Sequence, residues 1–184
     1  MKLPAAFITK YQQLLGAEAA AFFTALETGH PVKGFRLNPL KPQAVSMLEM
    51  FGPDKSPAPY AMNAYIGEVK GKSLLHQAGY VYSQEPSAMI VATIADAQPG
   101  EKVLDLCAAP GGKTTQLASQ MQGKGLLVSN EIFTKRAKIL SENVERWGIS
   151  NVVVTNHAPQ ELTPHFPCLL YTSPRPRDPK TSRM

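Results

Sequence analysis

The sequence predicts an α/β fold: a partial doubly wound parallel sheet preceded by a small helical or α+β N-terminal domain. Three observations predict it. From residue 73 onward, short apolar runs alternate with segments of helical periodicity. Three of those runs, "KVLDL", "GLLVSNE" and "NVVVT", are joined by helices, which implies a parallel sheet with right-handed crossovers and so the first half of a doubly wound fold. Before residue 73 the pattern is different, a helical pair followed by irregular chain.

The elements follow in order. Residues 4–15 and 17–27 carry apolar side chains at helical spacing (Phe7, Tyr11, Leu14, Leu15; then Ala19, Phe22, Phe23, Leu26), with Gly16 between them and Gly29 closing the second. "GFRLNPL" predicts a short strand ended by Asn38-Pro39. "KPQAVSMLEMFG" predicts a helix with Pro42 in its first turn and Gly52 past its end, and "GPDKSPAP" reads as a loop. "GYVYSQEPSAMIVATIADAQPG" places a short strand before a helix that begins at Pro86 and stops before Pro99-Gly100. Helices are then expected at about 112–121 and 133–147, the second ended by Gly148. Three segments result: 1–72, 73–167 and a tail at 168–184.

The 184 residues are 43% hydrophobic, enough for one core with a small appendage, and the net charge is +5. That charge is unevenly spread. Residues 1–72 carry eight Lys/Arg against five Asp/Glu, 73–167 seven against eight, and 168–184 four against one. The tail "CLLYTSPRPRDPKTSRM" shows neither helix nor strand periodicity and is expected to be disordered. It also resembles translated sequencing-adapter DNA, so it is expected to be non-native and its charge carries no functional weight. Two cysteines, Cys107 and Cys168, without a Cys-x-x-Cys pair, suggest neither a disulfide framework nor a structural zinc site; no metal is expected. No apolar run approaches the ~20 residues that span a bilayer, and the N-terminus lacks a signal-peptide pattern, so no membrane partner is expected and a cytoplasmic location is.

The turn in "KVLDLCAAPGGKTTQLA" carries the chemistry. A P-loop needs Gly-x-x-x-x-Gly-Lys-Ser/Thr, but the position five before Gly112 is Cys107, and Pro110 lacks an N–H for a phosphate cradle. A nucleoside-binding turn asks for an acid at the strand end and small residues that let a ligand approach the backbone. Asp105 followed by Cys107, Ala109 and Gly111 meets that description. A ribose then calls for a carboxylate about 20 residues on, at the end of the next strand, and Glu131 stands twenty positions after Gly111. The competing reading of Glu131 is an acid placed at a helix N-terminus by the macrodipole.

"VLDLCAAPGGKTTQLA" resembles motif I of the Sun/RsmB/RsmF family of RNA cytosine-5 methyltransferases. "GKSLLHQAGYVYSQEPSAM" is similar to the family's block just upstream of the methyl-donor domain, "GFRLNPLK" to its N-terminal element, and "LPAAFITKYQQLLGAEAAAFFTAL" to the bacterial ribosomal-RNA branch. The resemblance runs from residue 3 to about 167. It implies a Rossmann-like class I methyltransferase sheet, S-adenosylmethionine as cofactor and RNA, 16S ribosomal RNA in this branch, as partner. Residues 1–72 are then an RNA-contacting domain and 73–167 the N-terminal half of the donor-binding domain. The implied donor-binding residues are Ala108, Ala109, Pro110, Gly111, Gly112, Lys113 and Thr114 along the backbone, Glu131 on the ribose hydroxyls, and Arg136 close to the donor. For Arg136 a solvated helix face is the alternative. Where relatives carry an acid toward adenine this sequence has Ala158, with Asn156 or His157 as substitutes. Arg36, Lys41, Lys70 and Lys72 are candidate phosphate contacts.

Cytosine C5 is a poor nucleophile, so the family's reaction needs a cysteine thiolate to add at C6. In the family that cysteine follows the fourth strand in a Pro-Cys segment, and a second lies in a Thr-Cys-Ser segment. Neither segment is present, so no catalytic residue is assigned. Cys168 in "HFPCLL" lacks the preceding strand, and Cys107 matches a small structural residue of the donor turn. The chain is therefore expected to be a truncated enzyme, inactive alone, with the outer edge of "KVLDL" unpaired and a tendency to self-associate. The alternative is a non-catalytic RNA-binding accessory protein of methyltransferase fold.

Overall fold

The computed structural model describes residues 3–29, 32–162 and 164–165, with the backbone of Tyr171–Ser173. The chain divides into two compact units, residues 1–32 and 33–184. In the first, helices α1 (Ala5–Leu15) and α2 (Ala19–Thr28) are joined by a 3₁₀ turn at Gly16–Glu18. Gly16 adopts φ +51°, a conformation that turns the chain at little cost without a Cβ. The pair is held by aromatic rings: Tyr11 lies 4.5 Å from Phe7 and 5.2 Å from Phe22 between ring centroids.

The second unit contains two sheets. The first is antiparallel, with strands β1 (Gly34–Leu37), β2 (Ser56–Pro57), β3 (Ala64–Ile66) and β4 (Val81–Ser83) in the order β2-β3-β1-β4. Helices α3 (Ala44–Phe51) and α4 (Leu74–Gln77) belong to the same stretch of chain. Its core joins Phe35 and Leu37 of β1 to Leu48, Leu75 and Val81. All four residues of β1 are buried, as a central strand covered on both faces must be. The strand before Pro86, expected to open the strand-helix alternation, is β4. It pairs with β1 instead, Arg36 opposite Tyr82, so this sheet crosses the expected boundary at residue 72. "GPDKSPAP" is mostly loop but supplies β2.

The second sheet is parallel. After α5 (Pro86–Ala95) come β5 (Lys102–Asp105), α6 (Gly112–Met121), β6 (Leu126–Asn130), α7 (Thr134–Trp147), β7 (Val152–Thr155), α8 (Pro159–Leu162) and β8 (Tyr171–Ser173). The strand order is β7-β6-β5-β8, and Asp105 pairs with Ser129 at the carboxyl ends. Ala92, Val103, Leu117, Met121 and Leu127 form the core between α5, α6 and the sheet. One expectation is corrected: the outer edge of β5 is not open. Val103–Asp105 pairs with Tyr171–Ser173, because an extended Tyr-Thr-Ser triplet can satisfy N–H and C=O groups that an unpaired edge would leave exposed. That strand is the described part of 168–184; Cys168 and the remaining tail residues lie outside the described residues. Among the described residues no helix is long and apolar enough to cross a membrane.

Candidate functional site

The site is built where β5 and β6 end side by side. Ala108 N–H donates to the Asn130 carbonyl at 2.8 Å, which ties the turn after β5 to the end of β6. Asp105, 1% exposed, accepts from the Thr114 hydroxyl at 3.0 Å and from Cys107 N–H at 3.3 Å. Burial pushes its carboxyl above the usual range, while those two donors and Lys113 pull the other way and Glu131 adds to the rise. Asp105 thus spans the turn from within and fixes the start of α6.

The turn's carbonyl groups are held from behind by side chains. Arg136 donates to Ala109 O at 2.5 Å, Asn143 to Pro110 O at 2.6 Å, and Arg36 to Gly112 O at 2.8 Å. The Ala109–Pro110 peptide is cis. Meanwhile the N–H groups of Gly112, Lys113 and Thr114, the first of α6, have no acceptor among the described residues. A row of unpaired donors with the positive end of a helix behind them suits an electron-rich or anionic group.

The small side chains also serve the packing around the turn. Ala108 and Ala109 are buried against Leu140 and Val144 of α7. A Cβ at Gly111, where φ is +113°, would lie 3.2 Å from Leu140 Cδ1, and one at Gly112 would lie 3.2 Å from Gln84 Nε2. Smallness here lets α7 and β4 close on the turn, which brings Arg136, Asn143 and Gln84 within reach of it.

Glu131 follows β6 directly and is 1% exposed. Its Oε1 accepts from Phe133 N–H at 3.2 Å, and its Oε2 lies 3.5 Å from Arg136 Nη1. That distance is an ion-pair contact, and Oε2 has no hydrogen-bond donor among the described residues. A buried carboxylate oxygen left short of a donor is costly unless something supplies one. Arg136 therefore joins the two halves of the site, the β6 carboxylate and the turn carbonyl. Ile132 and Phe133, about half exposed, place apolar surface next to Glu131.

Other expectations are corrected. Arg36 is 2% exposed and cannot meet an RNA phosphate; its guanidinium faces Gln84, Gly112 and Thr115 instead. The Lys41 ammonium is engaged with the Ala78 carbonyl and lies over the Tyr80 ring. Lys70 and Lys72 are exposed. Asn156 is tied into the fold at both ends of its amide: Nδ2 donates to the carbonyls of Glu131 (2.6 Å) and Ile132 (3.0 Å), and Oδ1, the acceptor that would replace an acid, accepts from the Thr134 hydroxyl at 2.8 Å. His157 pairs with Glu161 at 3.4 Å. Sequence reading missed Asn143, although it stands seven residues after Arg136 and so on the same face of α7. A cleft of about 1080 Å³ lies along α6, lined by Tyr65, Gln116 and Gln120 among others, and includes neither the turn nor Glu131. Among the described residues, no group of three or more His, Cys, Asp or Glu could hold a metal ion.

An open parallel sheet with a glycine turn after one strand and a carboxylate after the next defines a nucleoside-binding α/β domain. Its architecture matches a methyltransferase homolog protein from Pyrococcus horikoshii with a TM-score of 0.77, at 28% identity over 89% of this chain and 55% of that one. NSun6 from Pyrococcus horikoshii, solved with SFG, shares the fold at a TM-score of 0.77 and 16% identity, over 88% of this chain and 67% of that one. Residues 3–86 match the N-terminal domain of 16S rRNA methyltransferase RsmF, and residues 92–165 match 16S rRNA methyltransferase RsmB/F. The chain belongs to the Sun/RsmB/RsmF family. It is 31% identical to ribosomal RNA small subunit methyltransferase F of Escherichia coli O1:K1 over 83% of its own length, and 35% identical to the protein of that name from Vibrio parahaemolyticus over 84%. It spans 35% of the length of each of these relatives.

Proposed function

We propose that this chain is the N-terminal and donor-binding portion of an S-adenosylmethionine-dependent methyltransferase that modifies cytosine C5 in RNA, with 16S ribosomal RNA as the substrate. The observation that carries the donor assignment is Glu131 Oε2, a buried acceptor without a hydrogen-bond donor, set across from a turn whose carbonyls are tied back and whose N–H groups are unpaired. A ribose diol offers donors to that carboxylate. The N–H row at Gly112–Thr114 suits the carboxylate of a methionine moiety, and Ile132 offers an apolar wall for a base. When bound, the donor supplies an electrophilic methyl group on its sulfonium.

Residues 108–114 border the methionine and ribose portions, Glu131 takes the ribose hydroxyls, and Arg136 holds Glu131 and the turn in register. The Glu131 carboxylate beside the turn opposes a triphosphate at the same place. RNA contacts of the N-terminal region fall to exposed cations such as Lys70 and Lys72. Titration calorimetry with S-adenosylhomocysteine and with ATP tests the reading. Binding of adenosylhomocysteine without ATP is expected; ATP binding alone would overturn it.

A further inference from the structure

Arg36 is the one of the three side chains tying back the turn's carbonyls that comes from the antiparallel sheet. It sits in the middle of β1, in the antiparallel sheet, yet its hydrogen bonds reach the first turn of α6 in the parallel one. Nη2 donates to Gly112 O at 2.8 Å and to Thr115 Oγ1 at 2.6 Å, and Nε donates to Gln84 Oε1 at 2.6 Å. The guanidinium carbon lies 5.5 Å from the Tyr82 ring centroid and 5.4 Å from that of Trp147. None of its hydrogen-bond partners is a carboxylate, so the buried cation is held by a carbonyl, a hydroxyl, an amide and two aromatic rings. Burial lowers it to about 9, which leaves it charged at neutral pH.

A peptide unit is planar and trans, so its C=O and the following N–H point in opposite directions. Fixing Gly112 O therefore fixes the direction of Lys113 N–H, one of the three unpaired donors of the turn. The Thr115 hydroxyl, which donates to the same carbonyl at 3.1 Å, completes a closed triangle with the guanidinium. Gly112 is also the first residue of α6, whose backbone ladder takes the same carbonyl, so a side chain of the other sheet reinforces a direction that the helix sets.

We infer that Arg36 is a positioning residue for the donor turn: through Gly112 O it steadies Lys113 N–H toward the ligand, so that the antiparallel sheet tunes donor affinity. This rests on the donor-binding reading above.

The test uses the full chain and its Arg36→Met, Arg36→Lys and Thr115→Val variants. Leu48→Ala is the control, since it weakens the core of the same sheet without touching Gly112. Each is measured by S-adenosylhomocysteine titration, thermal unfolding, and amide hydrogen exchange across 111–115 without ligand. Arg36→Met is expected to weaken binding by about tenfold or more and to speed exchange at the turn. Arg36→Lys, which keeps a donor for Gly112 O, should recover part of both, and Thr115→Val should lose less than Arg36→Met. Leu48→Ala should lose melting temperature with little change in affinity. The inference is overturned if affinity tracks melting temperature across all variants, or if Arg36→Met binds and exchanges like the wild type. Should Arg36→Met not fold, unchanged affinity and exchange in both Arg36→Lys and Thr115→Val would overturn it equally. If the wild type binds no adenosylhomocysteine, the donor reading fails; the exchange measurement still decides whether Arg36 orders the turn.

Discussion

The Arg136 guanidinium lies 3.5 Å from the Glu131 carboxylate, an ion pair in which the acid is 1% exposed and the base 32%. The two ends of this pair are therefore unequal. Removing the arginine leaves a buried carboxylate without a counter-charge, whereas neutralising the acid leaves a cation that water still reaches. Arg136→Met should cost about 1–3 kcal/mol, more than Glu131→Gln, and the double variant should regain part of that loss. Urea unfolding of the three variants checks the order. Equal losses in the two single variants would mean that the pair does not hold the end of β6.

Glu131→Gln is also the direct probe of ligand recognition. It keeps the side chain's shape and an acceptor oxygen but loses the charge that strengthens hydrogen bonds from hydroxyl groups. The dissociation constant for S-adenosylhomocysteine should rise about tenfold or more, with a smaller effect on melting temperature than Arg136→Met. Calorimetric titration measures it, and unchanged affinity would remove Glu131 from the site.

Gly111→Ala tests why the turn is built from small residues. At φ +113° a side chain is strained, and the added Cβ would press on Leu140 Cδ1 at 3.2 Å. A loss of about 1–3 kcal/mol is expected, along with displacement of α7 from the turn. Since Arg136 and Asn143 hold the turn from α7, the variant should lose donor affinity too. A stable Gly111→Ala protein that binds normally would show that the close approach is not required.

Much of this was legible in the sequence because it was local. Gly16, Gly29, Gly52, Gly148 and Pro86 mark helix ends where the expected ends fall, and the helix over 112–121 follows from its glycine start and periodicity. The antiparallel sheet was not legible, because β1, β3 and β4 meet across 28 to 48 residues of chain and each is three or four residues long. Arg36 was misread for the same reason. A cation in a short strand looks like a surface contact, and what makes its burial tolerable is a carbonyl, a hydroxyl and an indole from α6 and α7, far away in sequence. The place of Glu131 at the end of β6 was readable because the spacing between a glycine turn and the next strand end is set by the length of one helix and one strand.

Asn38 shows how the two sheets are fastened together. Fully buried, it donates from Nδ2 to Gly79 O and to Trp147 O, both at 2.8 Å, and accepts from Leu40 N–H at 2.9 Å. One of those carbonyls ends α7. Asn38→Ala strands two buried carbonyls and should destabilise the protein by about 2–3 kcal/mol. Asn38→Asp should be at least as harmful, since an acid cannot donate to either carbonyl when ionised. Chemical denaturation of both variants decides it, and a loss well below that range would mean that other groups satisfy Gly79 and Trp147.

The Asp105–Thr114 bond makes stability depend on pH with a definite sign. Burial raises the Asp105 carboxyl in the folded protein, opposed in part by the Thr114 hydroxyl. A group raised on folding contributes stability that is fully present below its unfolded pKa and is lost as pH rises through the folded one. Thr114→Val removes a bond that lowers the folded value, so the rise becomes larger and the loss on ionisation grows. The stability difference between wild type and variant should therefore widen, by roughly 1 kcal/mol, as pH rises from below the unfolded pKa through the folded pKa of Asp105. Urea unfolding across a pH series reads this directly. A constant difference would mean that the lost hydroxyl acts on packing alone, and that the Asp105 carboxylate does not depend on Thr114 for its charge.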